Sequence, residues 1–99
     1  MEFSLDQVQV THSESAHRFE AAIYGLTAFI VYKIQPGRMI IQHTEVPPEL
    51  EARGLAAKLT RAALEFARSK KFQVVPSCPY TAAYIAKHPE YRDLLSLPQ

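Results

Sequence analysis

The first half of the chain alternates apolar and polar residues with the period of β-strands. In "RFEAAIY" (18–24), apolar Phe, Ala and Ile alternate with Arg, Glu and Ala, which is typical of a strand with one buried face. "LTAFIVYKI" (26–34) carries β-branched and aromatic residues at both parities. This run favours a central strand covered on both faces, although a short buried helix has the same pattern.

The following segments extend this pattern into a sheet. "QPG" (35–37) is a turn signal that leads into the strand-like "RMIIQHTEV" (38–46). "VQVTH" (8–12) supplies one more strand near the start of the chain. We therefore predict four consecutive strands joined by tight turns, which form an antiparallel meander.

In the second half the apolar residues adopt the period of a helix. Leu55, Leu59, Ala63 and Phe66 recur every three to four residues and predict an amphipathic helix that ends near "SKK" (69–71). The apolar pattern then predicts a fifth strand, a helix that ends before a His-Pro pair, and a last short helix. These lie at 72–76, at about 80–87 and at about 91–95. The predicted fold class is α/β.

The composition fits one domain spanning residues 1–99. The chain has 99 residues, 47% of them hydrophobic, which is enough for one core. A single cysteine, Cys78, excludes an internal disulfide and suits a reducing compartment. The N-terminal segment is acidic without the apolar stretch of a signal peptide, and no apolar run approaches the roughly 20 residues of a membrane span. We expect a soluble cytoplasmic protein.

Charge is nearly balanced but unevenly distributed. The formal net charge is +1, with three Lys/Arg and six Asp/Glu in residues 1–50 against eight and four in residues 51–99. The basic residues of the second half fall mainly along a helix, where a solvated face is their usual role, so no nucleic-acid partner is expected. No metal is expected either, because the histidines do not stand at the sequence spacing from Cys78 that metal ligands have. They are His12, His17, His43 and His88.

A glycine and a row of small residues open the long helix directly after a strand. The unpaired N–H groups of a helix N-terminus bind anions, phosphate above all. Gly54 would allow a positive φ or a close ligand approach, Ala56 and Ala57 would keep side chains out of the way, and Arg53 and Lys58 would add positive charge. The alternative is a tight turn followed by alanines that pack the helix.

These segments resemble the GNAT superfamily of acetyl-CoA-dependent N-acetyltransferases, and in particular its compact subgroup of small acetyltransferase-like proteins. The resemblance is carried by the order of four strands and by "HTEVP", "RGLAAKL" and "CPYTAAYIAKHPEY". It implies a mixed sheet whose fourth and fifth strands splay apart around the pantetheine arm of coenzyme A. The arm would pair with the backbone of Thr44, Glu45 and Val46. The pyrophosphate would lie on the amides of Arg53, Gly54, Leu55, Ala56 and Ala57, near Lys58 and Tyr80.

Two departures from the superfamily concern the ligand and the acceptor. Glu51 stands where the pyrophosphate motif begins with Gln or Arg, and a carboxylate beside phosphate is unfavourable. Only "SESA" (13–16) separates the first two strand-like segments, where larger members carry helices that shape the acceptor pocket. The acceptor site is therefore expected to be open or completed by another chain, in a monomer or a homodimer.

Five side chains are candidates for the chemistry of transfer. Cys78 follows the fifth strand and could carry the acetyl group, although a small buried cysteine is commonly inert. Tyr84 lies where superfamily members place the tyrosine that protonates the departing thiolate; Tyr80 competes for this role, and either could be a core residue. His43 and Glu45 share one face of the fourth strand and could relay a proton, although His43 could equally be structural.

The predicted function is acetyl transfer from acetyl-CoA to an amine acceptor, either directly or through Cys78. The sequence does not name the acceptor, which could be a small molecule or a protein. The alternative function is a non-catalytic module that binds coenzyme A or another protein, because the acceptor-shaping helices are missing.

Overall fold

A computed structural model describes residues 4–95, which form a five-stranded sheet with helices. The strands lie in chain order and the first three pairs are antiparallel, whereas β4 and β5 are parallel. This architecture confirms the predicted fold class. The strands are β1 (Val10–Ser13), β2 (Arg18–Ile23), β3 (Leu26–Gln35), β4 (Arg38–Glu45) and β5 (Gln73–Pro76), and the helices are α1 (Leu55–Ser69) and α2 (Pro79–Lys87).

The predicted elements agree with the structure to within about two residues at most ends. The apolar run of β3 forms a strand and not the alternative helix. The last short helix is a 3₁₀ helix, Pro89–Leu94, that begins two residues earlier than expected. Two single turns of 3₁₀ helix, Leu5–Gln7 and Pro48–Leu50, were not predicted, because a three-residue turn leaves no periodicity to detect.

One face of the sheet, the inner face, carries the hydrophobic core. Ala28, Ile30 and Tyr32 of β3 are buried there, and α1 packs across them with Leu55, Leu59, Thr60, Ala63, Leu64 and Ala67. Each buried leucine stabilises the fold by about 1.5–3 kcal/mol relative to an exposed one. The C-terminal 3₁₀ helix is tied to α1 by a hydrogen bond from the Tyr91 hydroxyl to Glu65 (2.7 Å) and by the Arg68–Asp93 ion pair (2.8 Å).

The opposite, outer face carries apolar residues that no helix covers within residues 4–95. The strand register places Phe29, Val31, Ile40 and Val75 on this face, each half-buried and none in contact with the core. The expectation that β3 is covered on both faces is therefore wrong. The sequence pattern was ambiguous, because apolar residues on both faces of a strand predict burial only if a second layer exists.

The sheet opens between β4 and β5. Their pairing runs from Arg38 to Ile41, and the Cys78 amide then donates to the Ile41 carbonyl (3.0 Å) before the chain turns into α2. A β-bulge leaves Gln42 without a partner in β3, so Ile41 and Thr44 both point to the inner face. The last residues of β4 therefore face a gap bordered by Cys78 and α2, as the resemblance implies.

Candidate functional site

The start of α1 presents free backbone amides beside the end of β4. Gly54 is the N-cap of α1 in the left-handed conformation (φ 86°), which confirms the positive φ predicted for it. The Lys58 amide donates to the Gly54 carbonyl (3.0 Å) as the first helical bond, and no side chain of residues 4–95 caps the helix. The amides of Leu55, Ala56 and Ala57 are thus left for a ligand or for water.

Two pockets meet at this helix start. The first, the β4 pocket, has a volume of about 340 Å³ and lies between Thr44 and Val46 of the β4 end and the loop from Glu51 into α1. The second, the interhelical pocket, has a volume of about 470 Å³ and lies between α1 and α2. Both are lined by Gly54, Ala57 and Tyr80, so the two pockets adjoin at the helix start, and together they are called the groove.

The interhelical pocket is lined by basic side chains that sequence analysis did not assign to a site. Arg61 extends from α1, Lys87 and His88 lie at the end of α2, and Asp6 is the one acidic residue in the described lining. In the sequence, Arg61 stands four residues after Ala57 and His88 stands four residues after Tyr84, a spacing that places each pair on one helix face. That spacing becomes informative only when the two helices are known to be neighbours.

Lys58 holds the N-terminal segment against α1. Its ammonium donates to the carbonyls of Leu5 (2.6 Å) and Val8 (2.5 Å), while the side chain still lines the interhelical pocket. No local pattern could have indicated contacts between residues that lie 50 and 53 positions apart in the sequence. Arg53, by contrast, is exposed and lies outside the lining of both pockets, whereas Glu51 lines the β4 pocket.

Cys78 is buried at the N-cap of α2, beside the inner face of β4. Its Sγ lies 3.5 Å from Thr44 Oγ1. Burial raises the pKa of the Cys78 thiol, but its hydrogen bond with the Thr44 hydroxyl and hydrogen bonds with the backbone of Thr81 and Tyr80 outweigh burial, so the pKa lies below its ordinary value. The Thr81 hydroxyl is fully buried without a close hydrogen-bond partner within residues 4–95 and lies near this sulfur.

The two tyrosines of α2 lie in different surroundings. Tyr80 is 40% exposed and lines both pockets, whereas Tyr84 is almost buried, lines only the interhelical pocket and stacks on His88 with ring centroids 3.9 Å apart. Burial raises the pKa of both hydroxyls, so both keep their protons at neutral pH. The charges that affect the pKa of Tyr84 are those of Arg61, which lowers it, and of Glu90 and Glu65, which raise it.

His43 and Glu45 lie on the outer face of β4, with Thr44 between them on the inner face. His43 Nε2 and Glu45 Oε1 are 3.2 Å apart, and the side chains are 57% and 60% exposed. The structure thus brings Thr44, Cys78 and Tyr80 together at the opening and places the His43–Glu45 pair on the other side of the strand. Their role in proton transfer stays a prediction.

Neither a metal cluster nor a membrane helix occurs in the part of the chain that the structure describes. Residues 4–95 contain no group of three or more His, Cys, Asp or Glu side chains that could hold a metal ion. No helix within that range is long and apolar enough to cross a membrane.

Comparisons with known proteins agree with this architecture. The sequence profile of the GCN5-related N-acetyl-transferase family matches residues 18–94. Protein NATD1 of Gallus gallus is 31% identical over 85 residues, which cover 83% of this chain and 77% of that protein, and mouse NATD1 is 29% identical over the same length. An NMR structure of a GCN5-like protein from Staphylococcus aureus shares the fold with a TM-score of 0.73, 24% identity and coverage of 96% of this chain and 94% of that one.

The mixed sheet, the opening beside β4 and the glycine-capped helix define a small acetyltransferase-like α/β protein. The chain belongs to the GCN5-related N-acetyltransferase family.

Proposed function

We propose that the groove formed by the two pockets binds acetyl-CoA. The observation that carries this proposal is the set of free amides at Leu55, Ala56 and Ala57, at the junction between an opening in the sheet and a basic pocket. The N-terminus of a helix stabilises a pyrophosphate through these N–H groups and its dipole. Each pocket falls within the volume range of about 300–1,000 Å³ typical of small-molecule sites.

The three parts of the ligand match three parts of the groove. The pantetheine arm would lie along the backbone of Thr44, Glu45 and Val46, on the edge of the chain that β5 does not pair, as an added strand does. The pyrophosphate would lie at the α1 start. The phosphorylated adenosine would extend into the interhelical pocket toward Arg61 and Lys87, whose charges complement phosphate.

The proposed reaction is transfer of the acetyl group to an amine. The neutral amine attacks the thioester carbonyl, a C–N bond forms, the C–S bond breaks, and the departing thiolate takes a proton from an acid. We assign this acid to Tyr80 in preference to Tyr84, because only Tyr80 lines the β4 pocket with Thr44. The His43–Glu45 pair, near the end of β4, would accept the proton of the amine.

A route through Cys78 is the second possibility for the same reaction. The Cys78 thiolate would attack the thioester, release coenzyme A and form an S-acetyl cysteine, from which the amine then takes the acetyl group. The lowered pKa of Cys78 and its contact with Thr44 support this route. Its low accessibility, 5% of the residue surface, argues for direct transfer.

Acetyl-CoA titration and mass spectrometry test the proposal together. Ligand at a hundred times its dissociation constant should stabilise the fold by about 2.7 kcal/mol, which raises the melting temperature by about 10 °C or more in a domain of this size. Incubation with a panel of amines and a lysine peptide should yield products heavier by one acetyl group. An unchanged melting curve at millimolar ligand would refute binding. Binding without any product would favour the non-catalytic module, with which the carboxylate of Glu51 in the β4 pocket is consistent.

A further inference from the structure

The uncovered outer face of the sheet has a charge pattern that is complementary to itself. Its centre is the apolar group Phe29, Val31, Ile40 and Val75, which is half-buried and makes no contact with the core. Four neighbouring apolar side chains on one open face are typical of an interaction surface. Within residues 4–95 no helix covers this group, although the Arg18 guanidinium lies over the Phe29 ring, 4.1 Å from its centre, and the His43 ring packs edge-on to it at 6.2 Å.

Carboxylates flank one end of this apolar group. Glu20 and Glu45 lie directly opposite Phe29 on the two neighbouring strands, and their side chains are 41% and 60% exposed. Each has one partner on the same face: Arg18 lies 2.8 Å from Glu20, and His43 lies 3.2 Å from Glu45. With His43 neutral, this end carries a net negative charge.

Cations flank the other end. Lys33 lies directly opposite Ile40, and Arg38 lies two residues before Ile40 on the same face. Both side chains are exposed, and neither has a carboxylate within ion-pair distance in the described part of the chain. Lys33 is four residues from Phe29 along β3, which separates the two ends by about 13 Å.

We propose that the outer face is a homodimer interface between two copies of this chain. A two-fold axis that crosses the strands near Val31 places the carboxylate end of each copy over the cationic end of the other, and does so twice. Val31 then lies over Val31 of the second copy, and Phe29 lies over the aliphatic stem of Lys33. A partner with a single sign of charge would complement one end and be repelled by the other.

The size of the face predicts a moderate affinity. Five strands span about 20–25 Å across the sheet, and a stable interface buries about 800 Å² on each partner. The outer face falls at the small end of that range, so we expect a dissociation constant in the micromolar range. A second copy seated there would also cover the far side of the opening beside Thr44, next to His43 and Glu45.

Charge reversal on separate chains tests the interface. In sedimentation velocity from about 5 µM to about 500 µM, a range that brackets micromolar affinity, the parent should shift from monomer to dimer. The variant with Lys33→Glu and Arg38→Glu should weaken dimerisation at least about tenfold, as should the variant with Glu20→Lys and Glu45→Lys. An equimolar mixture of the two variants should dimerise again, because every reversed charge then meets an opposite one.

The matched control reverses two cations on the helical side, Lys87→Glu with Arg92→Glu, and should dimerise like the parent. Circular dichroism establishes that each variant is folded. Three results overturn the proposal: a parent that stays monomeric over the whole range, equal weakening by the control, and a mixture that fails to dimerise while both of its chains are folded. Binding of acetyl-CoA is measured separately, so failure of the dimer and failure of the proposed function are distinguishable.

Discussion

Replacing Gly54 by alanine should separate ligand binding from stability. A left-handed backbone conformation costs a residue with a Cβ about 1–2 kcal/mol, and Gly54 has a φ of 86°. A Cβ at this position would lie 3.0 Å from the Leu5 Cδ2 atom, the end of a flexible side chain that can move aside. We therefore expect a loss of about 1–2 kcal/mol, or roughly 5–15 °C in melting temperature.

Ligand affinity should fall further than stability, because relaxing the strained backbone moves the three amides of Leu55, Ala56 and Ala57. Loss of two aligned hydrogen bonds to a charged group, at about 1.5–3 kcal/mol each, predicts a dissociation constant for coenzyme A at least about a hundredfold higher. Calorimetric titration of the folded variant measures this change.

Gly37→Ala is the matched control for this substitution. Gly37 has a similar positive φ of 75° in the turn between β3 and β4, and a Cβ there would meet nothing within 4 Å. The control should lose similar stability and keep the affinity of the parent. If Gly54→Ala binds coenzyme A within a factor of two of Gly37→Ala, the pyrophosphate assignment is wrong.

Three further predictions follow from individual contacts. The pH midpoint of Cys78 alkylation should lie below that of a free thiol. It should rise in Thr44→Val, because this substitution removes the hydroxyl beside the sulfur. An unchanged midpoint in Thr44→Val would show that the Thr44 hydroxyl does not lower the pKa of Cys78. Tyr80→Phe should lower the rate of acetyl transfer by about 10²-fold or more and exceed the effect of Tyr84→Phe, and the reverse order in a steady-state assay would reassign the acid. Lys58→Met should lower the free energy of unfolding in urea by about 1–3 kcal/mol, because two backbone carbonyls lose their hydrogen-bond donor. An unfolding midpoint equal to that of the parent would show that these two hydrogen bonds do not stabilise the fold.

The chemical route can be decided at Cys78. If the acetyl group passes through this residue, Cys78→Ser should nearly abolish turnover while coenzyme A still binds. The parent mixed with acetyl-CoA alone should then carry one acetyl group on Cys78, and an acceptor amine should consume it at least as fast as overall turnover. Full activity in Cys78→Ser, measured with the same acceptor, would establish direct transfer.

Local patterns were sufficient to predict the five strands and the two α-helices of this fold. The alternation in 18–24 and the three- to four-residue spacing from Leu55 to Phe66 each record one buried face, so strand β2 and helix α1 followed directly. The positive φ of Gly54 was one of the two roles that the sequence suggested for it, because glycine adopts this conformation without a Cβ clash. The expectation that the long helix directly follows a strand was wrong, because a loop that includes the 3₁₀ turn Pro48–Leu50 separates β4 from α1.

Features that depend on which helices and strands are neighbours in space could not be predicted from the sequence. Arg61 and Lys87 line one pocket only because α1 and α2 pack side by side. The bulge at Gln42 decides that Thr44 faces Cys78 while His43 faces away, and no local signal marked it. The apolar residues of β3 predicted a second layer that residues 4–95 do not contain, which is why this mistaken expectation points to a partner.

The most direct test of acetyl-CoA binding at the start of α1 is an amide-resolved NMR titration with coenzyme A. The largest changes in ¹H–¹⁵N shift should occur at Leu55, Ala56 and Ala57, with smaller changes from Thr44 to Val46, because these backbone groups would bind the pyrophosphate and the pantetheine arm. The amide of Gly37, in the turn at the other end of β4, should be unaffected. A titration that leaves the α1 start unchanged at millimolar ligand, or that shifts another region instead, would contradict the central claim.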